Sequence, residues 1–93
     1  MSTIKIPPVL RSSTGGEREV VAEGATVGEL LGGLAAQHPD TQRQLFAEDG
    51  GLNRYVNVYL NDEDVRVMQG IDTPVSDSDT LVILPAMAGG SPR

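Results

Sequence analysis

The 93-residue chain contains no cysteine, a single histidine (His38), a single lysine (Lys5) and three aromatic residues, Phe46, Tyr55 and Tyr59. Without cysteine there are no disulfides, no thiolate metal site and no cysteine nucleophile. One histidine cannot build a multi-histidine metal centre. No apolar run approaches the ~18–20 residues that cross a bilayer. Met1–Lys5 lacks the basic start and long apolar stretch of a signal peptide, so a cytoplasmic protein with no membrane partner is the simplest expectation. Positive charge is scarce too: seven basic residues, six of them arginine, stand against thirteen acidic ones, a net charge of −6. Phosphate backbones require a basic stripe, so the balance argues against nucleic acid. A protein partner with a basic surface would be steered toward such a chain.

What is present suits one small α+β domain, with 39% hydrophobic residues for a modest core. Ser2–Ile6 alternates, with Ile4 and Ile6 on one face, and Pro7-Pro8 ends it or confines it to an edge. Arg11–Gly16 is turn chemistry and Glu17–Ala22 a second strand, together predicting a hairpin. Thr26 opens a helix, with Glu29 three residues on as in a capping box. Val27, Leu30, Leu31, Leu34 and Ala35 form its apolar stripe, and Pro39 stops it. Gly28, Gly32 and Gly33 weaken this helix by roughly 1 kcal/mol each at interior sites, so it must pack on a sheet. Thr41–Phe46 allows a further helical turn or two, and Ala47–Asn53 is a loop. Tyr55–Leu60 alternates strongly. Asn61–Asp64 is expected as a polar turn, Val65–Met68 as a short strand, Ile71–Pro74 as an extended piece and Asp77–Asp79 as a turn. Thr80–Leu84 is nearly all apolar, as for a central strand buried on much of both faces. The crossover rule then places this last strand between the N-terminal strand and Tyr55–Leu60. The result is a β-grasp arrangement, a mixed sheet packed around one main helix, over residues 1–84. Residues 85–93 lack periodicity and are expected to form a flexible tail.

Nothing in the chain reads as an active site, which requires positioned acid, base, nucleophile or metal. His38, at a helix end, suits carbonyl capping better than proton transfer. Asp62, Glu63 and Asp64 form an acidic cluster, but Arg66 occupies the next alternate position and breaks the calcium-loop pattern. Asp77 and Asp79 are turn residues on the same reasoning. Four adjacent glycine pairs occur among eleven glycines, and none lies in a phosphate loop. Random placement at this composition already gives roughly one pair, so the pairing itself proves little. Position singles out Gly89-Gly90, which closes an uncharged stretch from Pro85 that can extend roughly 20 Å. Residues without a Cβ can enter a channel that any side chain would block.

The block Tyr55–Arg66 and the ending Leu81-Val82-Ile83-Leu84-Pro85-Ala86-Met87-Ala88-Gly89-Gly90 carry a resemblance to a known family. The whole chain resembles the MoaD/ThiS family of ubiquitin-like sulfur carriers, most closely its CysO-type members of cysteine biosynthesis. Ile6-Pro7, Thr14-Gly15-Gly16 and the Thr26–Leu34 helix agree more loosely. The resemblance implies a carrier that catalyses nothing itself. It implies adenylation of Gly90 by a ubiquitin-activating-like adenylyltransferase/sulfurtransferase using ATP and Mg²⁺, with no cofactor or metal bound by this chain. Conversion to a thiocarboxylate would follow, with sulfur delivered to a biosynthetic enzyme such as a PLP-dependent cysteine synthase. Gly90 is the reacting residue, and Ala88 and Gly89 give access to it.

One feature departs from the family pattern, in which glycine is last. Ser91-Pro92-Arg93 follows Gly90, and no thiocarboxylate forms on a carbonyl held in a peptide bond. The resemblance implies a precursor cut between Gly90 and Ser91 by a JAMM-type zinc protease. For partner binding, the sheet face opposite the helix is expected to dock the activating enzyme through Tyr59, Asp62, Asp64 and Val82, with Pro85 and Met87 of the tail. The alternative reading is a ubiquitin-like protein modifier or a non-catalytic β-grasp interaction module.

Overall fold

The computed structural model describes residues 1–85, with Pro85 described by its backbone. Strand β1 (Ser2–Lys5) pairs antiparallel with β2 (Glu19–Ala22) and parallel with β5 (Thr80–Pro85). β5 pairs antiparallel with β3 (Val56–Leu60), and β3 pairs with the two-residue β4 (Glu63–Asp64). The sheet order β2-β1-β5-β3-β4 puts the last strand in the middle, where the crossover argument places it. Helix α1 (Val27–Gln37) covers one face, and the four-residue α2 (Gln42–Leu45) follows it. This is the β-grasp fold.

The alternating strands and the helix stripe meet in one core. Ile4, Val27, Leu30, Leu31, Val58, Leu81 and Ile83 have no solvent exposure, and Ile6, Leu34 and Val56 are buried beside them. At the start of α1, the Thr26 hydroxyl accepts from the Glu29 N–H at 3.2 Å. Glu29 Oε1 accepts instead from Ala25 N at 2.7 Å, so only half of the expected reciprocal box forms. The helix ends with the His38 backbone N–H donating to Leu34 O at 2.8 Å. Its C-terminal capping is thus done by backbone.

The helical glycines divide by surroundings. A Cβ on Gly28 would lie 3.1 Å from Ile71 O and 3.2 Å from Ile71 Cβ, so this residue lets α1 approach the chain after β4. A Cβ on Gly32 would meet nothing within 4 Å. Gly32→Ala is therefore expected to raise stability by about 0.5–1 kcal/mol, and Gly28→Ala to lower it. Urea midpoints of the two variants check the opposite signs.

Four local expectations change. Residues Pro8–Thr14 form a 3-10 helix ended by Gly15 at φ +66°, where a loose turn was expected. Asn61 and Asp62 both take positive φ (51° and 75°), so two residues close the hairpin and Glu63 already sits opposite Leu60. The expected strand at Val65–Met68 is consequently a 3-10 turn, Val65–Val67, which buries Val65 and leaves Val67 exposed. Ile71–Pro74 is extended only in its second half: Gly70–Asp72 winds into another such turn, while Thr73 is extended and Pro74 bridges Thr26.

The two faces of β5 differ in burial. Leu81 and Ile83 are fully buried, but Val82 is half-buried and Leu84 is 43% exposed. The strand is central yet covered on one face, because α1 lies on only one side of the sheet. Its pairing with β1 ends at Lys5–Val82, so at Pro85 it has a neighbour on one side only, which is where a strand tolerates proline.

Candidate functional site

The open sheet face is assembled by register. One row runs Glu19, Lys5, Val82, Tyr59, Asp64 across all five strands. Nearer the end of β5, Leu84 pairs with Asn57, and Pro85 with Val56. Strand alternation places Tyr59 and Val82 on this face together, both half-buried. The apolar Leu84, Val82 and Val21 and the ring of Tyr59 make it a mixed patch of the kind that meets proteins.

The two acids named for docking are separated by the hairpin. Asp64 is on the row above, and its Oδ1 accepts from the Arg66 N–H at 2.9 Å. Asp62 is exposed in the turn beyond the Leu60–Leu81 pair, at least about 13 Å along the sheet from Pro85. Met87, Ala88, Gly89, Gly90 and Ser91 lie outside the described residues.

Sequence reasoning treated Asp79 as an ordinary turn residue and missed a polar clasp. Asp79 Oδ1 accepts from Asn61 Nδ2 at 2.9 Å, and its Oδ2 accepts from Ser76 N at 2.8 Å. Asn61 Oδ1 in turn accepts from Thr80 N at 3.1 Å. The clasp ties the β3–β4 turn to the start of β5. The Asn61 side chain, then the Ser76 backbone, hold the Asp79 carboxyl below its ordinary value of 3.8. A depressed folded pKa contributes stability above the unfolded value that is lost as pH falls through the folded one. Wild type should therefore exceed Asp79→Asn in urea midpoint at neutral pH, with the gap narrowing as pH drops below about 4. A gap independent of pH would refute the clasp.

Among the described residues, no group of three His, Cys, Asp or Glu side chains is placed to hold a metal. A shallow hollow in the loop at residues 47–55 includes Glu48, Asp49 and Arg54. It is open to solvent and lacks the converging acid, base and nucleophile of a catalytic pocket. No helix among the described residues is long and apolar enough to cross a membrane. The arrangement offers an open sheet face of mixed character, with the central strand β5 running through it toward Pro85.

The β-grasp sheet with a glycine pair beyond its central strand defines a class, the ubiquitin-like carriers and modifiers. Within it, the ThiS family profile matches residues 4–90, and the chain belongs to that family. The sulfur carrier protein CysO of Mycobacterium tuberculosis is 43% identical over 90 residues, covering 95% of this chain and 97% of that protein. A chain in the crystal structure of the Amycolatopsis orientalis BexX/CysO complex superposes with a TM-score of 0.88 at 46% identity, covering 92% of this chain and 96% of that one. Small archaeal modifier protein 3 of Haloferax volcanii is 36% identical over 70 residues, 75% of each chain. The protein is thus a homologue of the CysO sulfur carriers.

Proposed function

We propose that this protein carries sulfur as a thiocarboxylate on Gly90. The observation that carries this reading is that the family match ends at Gly90, leaving Ser91-Pro92-Arg93 beyond it. Once Gly90 is terminal, its carboxylate attacks the α-phosphorus of ATP and releases pyrophosphate. Mg²⁺ and ATP belong to the activating enzyme. A sulfur nucleophile then displaces AMP and leaves the thiocarboxylate, whose soft sulfur attacks an electrophile held by a second enzyme. A PLP-dependent cysteine synthase is the acceptor proposed here by likeness to the CysO carriers.

This chain contributes the reacting carboxylate, an approach without side chains, and a surface by which to be held. Adenylation is tested by ATP–pyrophosphate exchange with a chain ending at Gly90 and its activating enzyme. Exchange that depends on Gly90 supports the reading, and its absence defeats it. Likeness to an archaeal modifier protein favours one second reading, in which activated Gly90 is passed to lysine amines. Isopeptide conjugates recovered from the source cell, without thiocarboxylate, would establish that reading in its place.

A further inference from the structure

The chain carries a net charge of −6, yet an arginine side chain is fixed at the end of the open face beside Pro85. Arg66 leaves the turn after β4 and reaches back across β3. Its Nη1 donates to Asn57 Oδ1 at 2.9 Å and its Nη2 to Asn53 O at 2.7 Å. Asn57 is the register partner of Leu84, so the guanidinium is held next to the most exposed apolar side chain at this end of β5. Arg54 lies with its Cζ 5.1 Å from the Tyr55 ring centroid, and Tyr55 precedes the residue paired with Pro85. Glu48 and Asp49 line the same loop hollow as Arg54, so Arg66 is the cation that bears on this face. The acids Asp62, Asp77 and Asp79 lie in turns at the opposite end, beyond Leu60 and Thr80, while Asp64, two residues before Arg66, spends one carboxylate oxygen on the Arg66 backbone N–H.

Both oxygens that hold Arg66 are neutral. Among the described residues the one salt bridge joins the Met1 amine to Asp77, and no carboxylate neutralises Arg66. A guanidinium has five N–H donors in a planar fork. Two are used in fixing its position, and the others stay available at a solvent-facing surface. Such a group has lost part of its side-chain freedom before any partner arrives, which lowers the cost of forming a charge-assisted contact.

We infer that Arg66 is the residue by which the open face selects its partner, an activating protein that presents a carboxylate opposite the Leu84 end of β5. This rests on the carrier reading above. Tyr59, Val82 and Leu84 supply apolar contact, and Arg66 fixes register by charge, the usual division of labour at an interface. The partner surface is acidic at the point where Arg66 meets it. That reverses the expectation drawn from net charge, which pictured a basic partner.

The test measures KM for the carrier and kcat in ATP–pyrophosphate exchange, using Gly90-ended chains of wild type, Arg66→Ala, Arg66→Glu and Asn57→Ala. Arg66→Glu should raise KM roughly tenfold or more and Arg66→Ala less, with kcat little changed. Wild-type KM should rise with salt, and that of Arg66→Ala should respond less. If Arg66 merely braced β3, Asn57→Ala, Arg66→Ala and Arg66→Glu would act alike and independently of salt, which would overturn the inference. A KM for Arg66→Glu within about twofold of wild type would overturn it as well. If wild type ending at Gly90 is adenylated, such a result counts against Arg66 alone. If it is not, the carrier reading fails and this inference falls with it.

Discussion

A chain ending at Gly90 should accept ATP-dependent sulfur loading directly, while the 93-residue chain should be inert until Ser91-Pro92-Arg93 is removed. The difference is expected to be all or none, because the reacting group does not exist in the longer chain. Attack on the α-phosphorus requires a free carboxylate, and in the full chain the Gly90 carbonyl is part of the bond to Ser91. Geometry adds to the chemistry. Pro92 locks its φ and Arg93 carries charge, so the longer end suits a narrow channel poorly. A JAMM-type zinc protease is the proposed trimmer, since a metal-activated water hydrolyses a peptide bond without needing a neighbouring side chain on the substrate. Incubation with and without such a protease, followed by pyrophosphate exchange, checks the requirement. Gly89→Trp in the trimmed chain separates access from chemistry. It should abolish activation and leave the melting temperature of the domain unchanged, since residue 89 lies beyond the last strand. Activity of the uncleaved 93-residue chain would contradict the proposal.

The second large effect is expected at the open face. Val82 sits between Lys5 and Tyr59 in the central row, so Val82→Glu buries a charge in any complex formed there. In the free protein the new carboxylate has Lys5 beside it, and the fold should persist. Central interface residues cost about 2 kcal/mol or more when disrupted, a roughly thirtyfold rise in KM for activation. Tyr59→Ala should act in the same direction through lost contact area. Reversing Asp62 should do less than reversing Asp64, because the hairpin carries Asp62 to the end of the sheet away from Pro85. Steady-state activation kinetics at constant ionic strength rank the four variants. Unchanged KM for both Val82→Glu and Tyr59→Ala would place the docking surface elsewhere.

Period and punctuation made most of the architecture legible before any coordinates. The Val27–Ala35 stripe, the alternation in Tyr55–Leu60 and the apolar run at Leu81–Leu84 lead to the observed strand order. What escaped was set by backbone torsion and by contacts distant in sequence. Val65–Met68 has strand-like composition, but left-handed Asn61 and Asp62 close the hairpin early and turn Val65 inward. The apolar run in β5 suggests burial on much of both faces. Burial depends on what lies across the sheet, and α1 covers one side only. The Asn61–Asp79 clasp spans 18 residues and has no local signature. Arg66 enters the sequence reading as the end of the Tyr55–Arg66 block and as the residue that breaks a calcium pattern. Its role emerges once β4 reverses the chain and brings it over Asn57. An Asn-Asp turn followed by Glu-Asp-Val-Arg was the available signal, since a two-residue hairpin returns the next side chains along β3.

The central claim is that Gly90 carries sulfur, and the intact mass of the protein tests it most directly. The chain ending at Gly90 is incubated with its activating enzyme, ATP, Mg²⁺ and a sulfide source, and the products are weighed by mass spectrometry with fragmentation. The account predicts an oxygen-to-sulfur mass increase located on the C-terminal residue, absent without ATP and absent when Gly90 is deleted. An unchanged mass after adenylation is established, or a sulfur increment on any other residue, would contradict it.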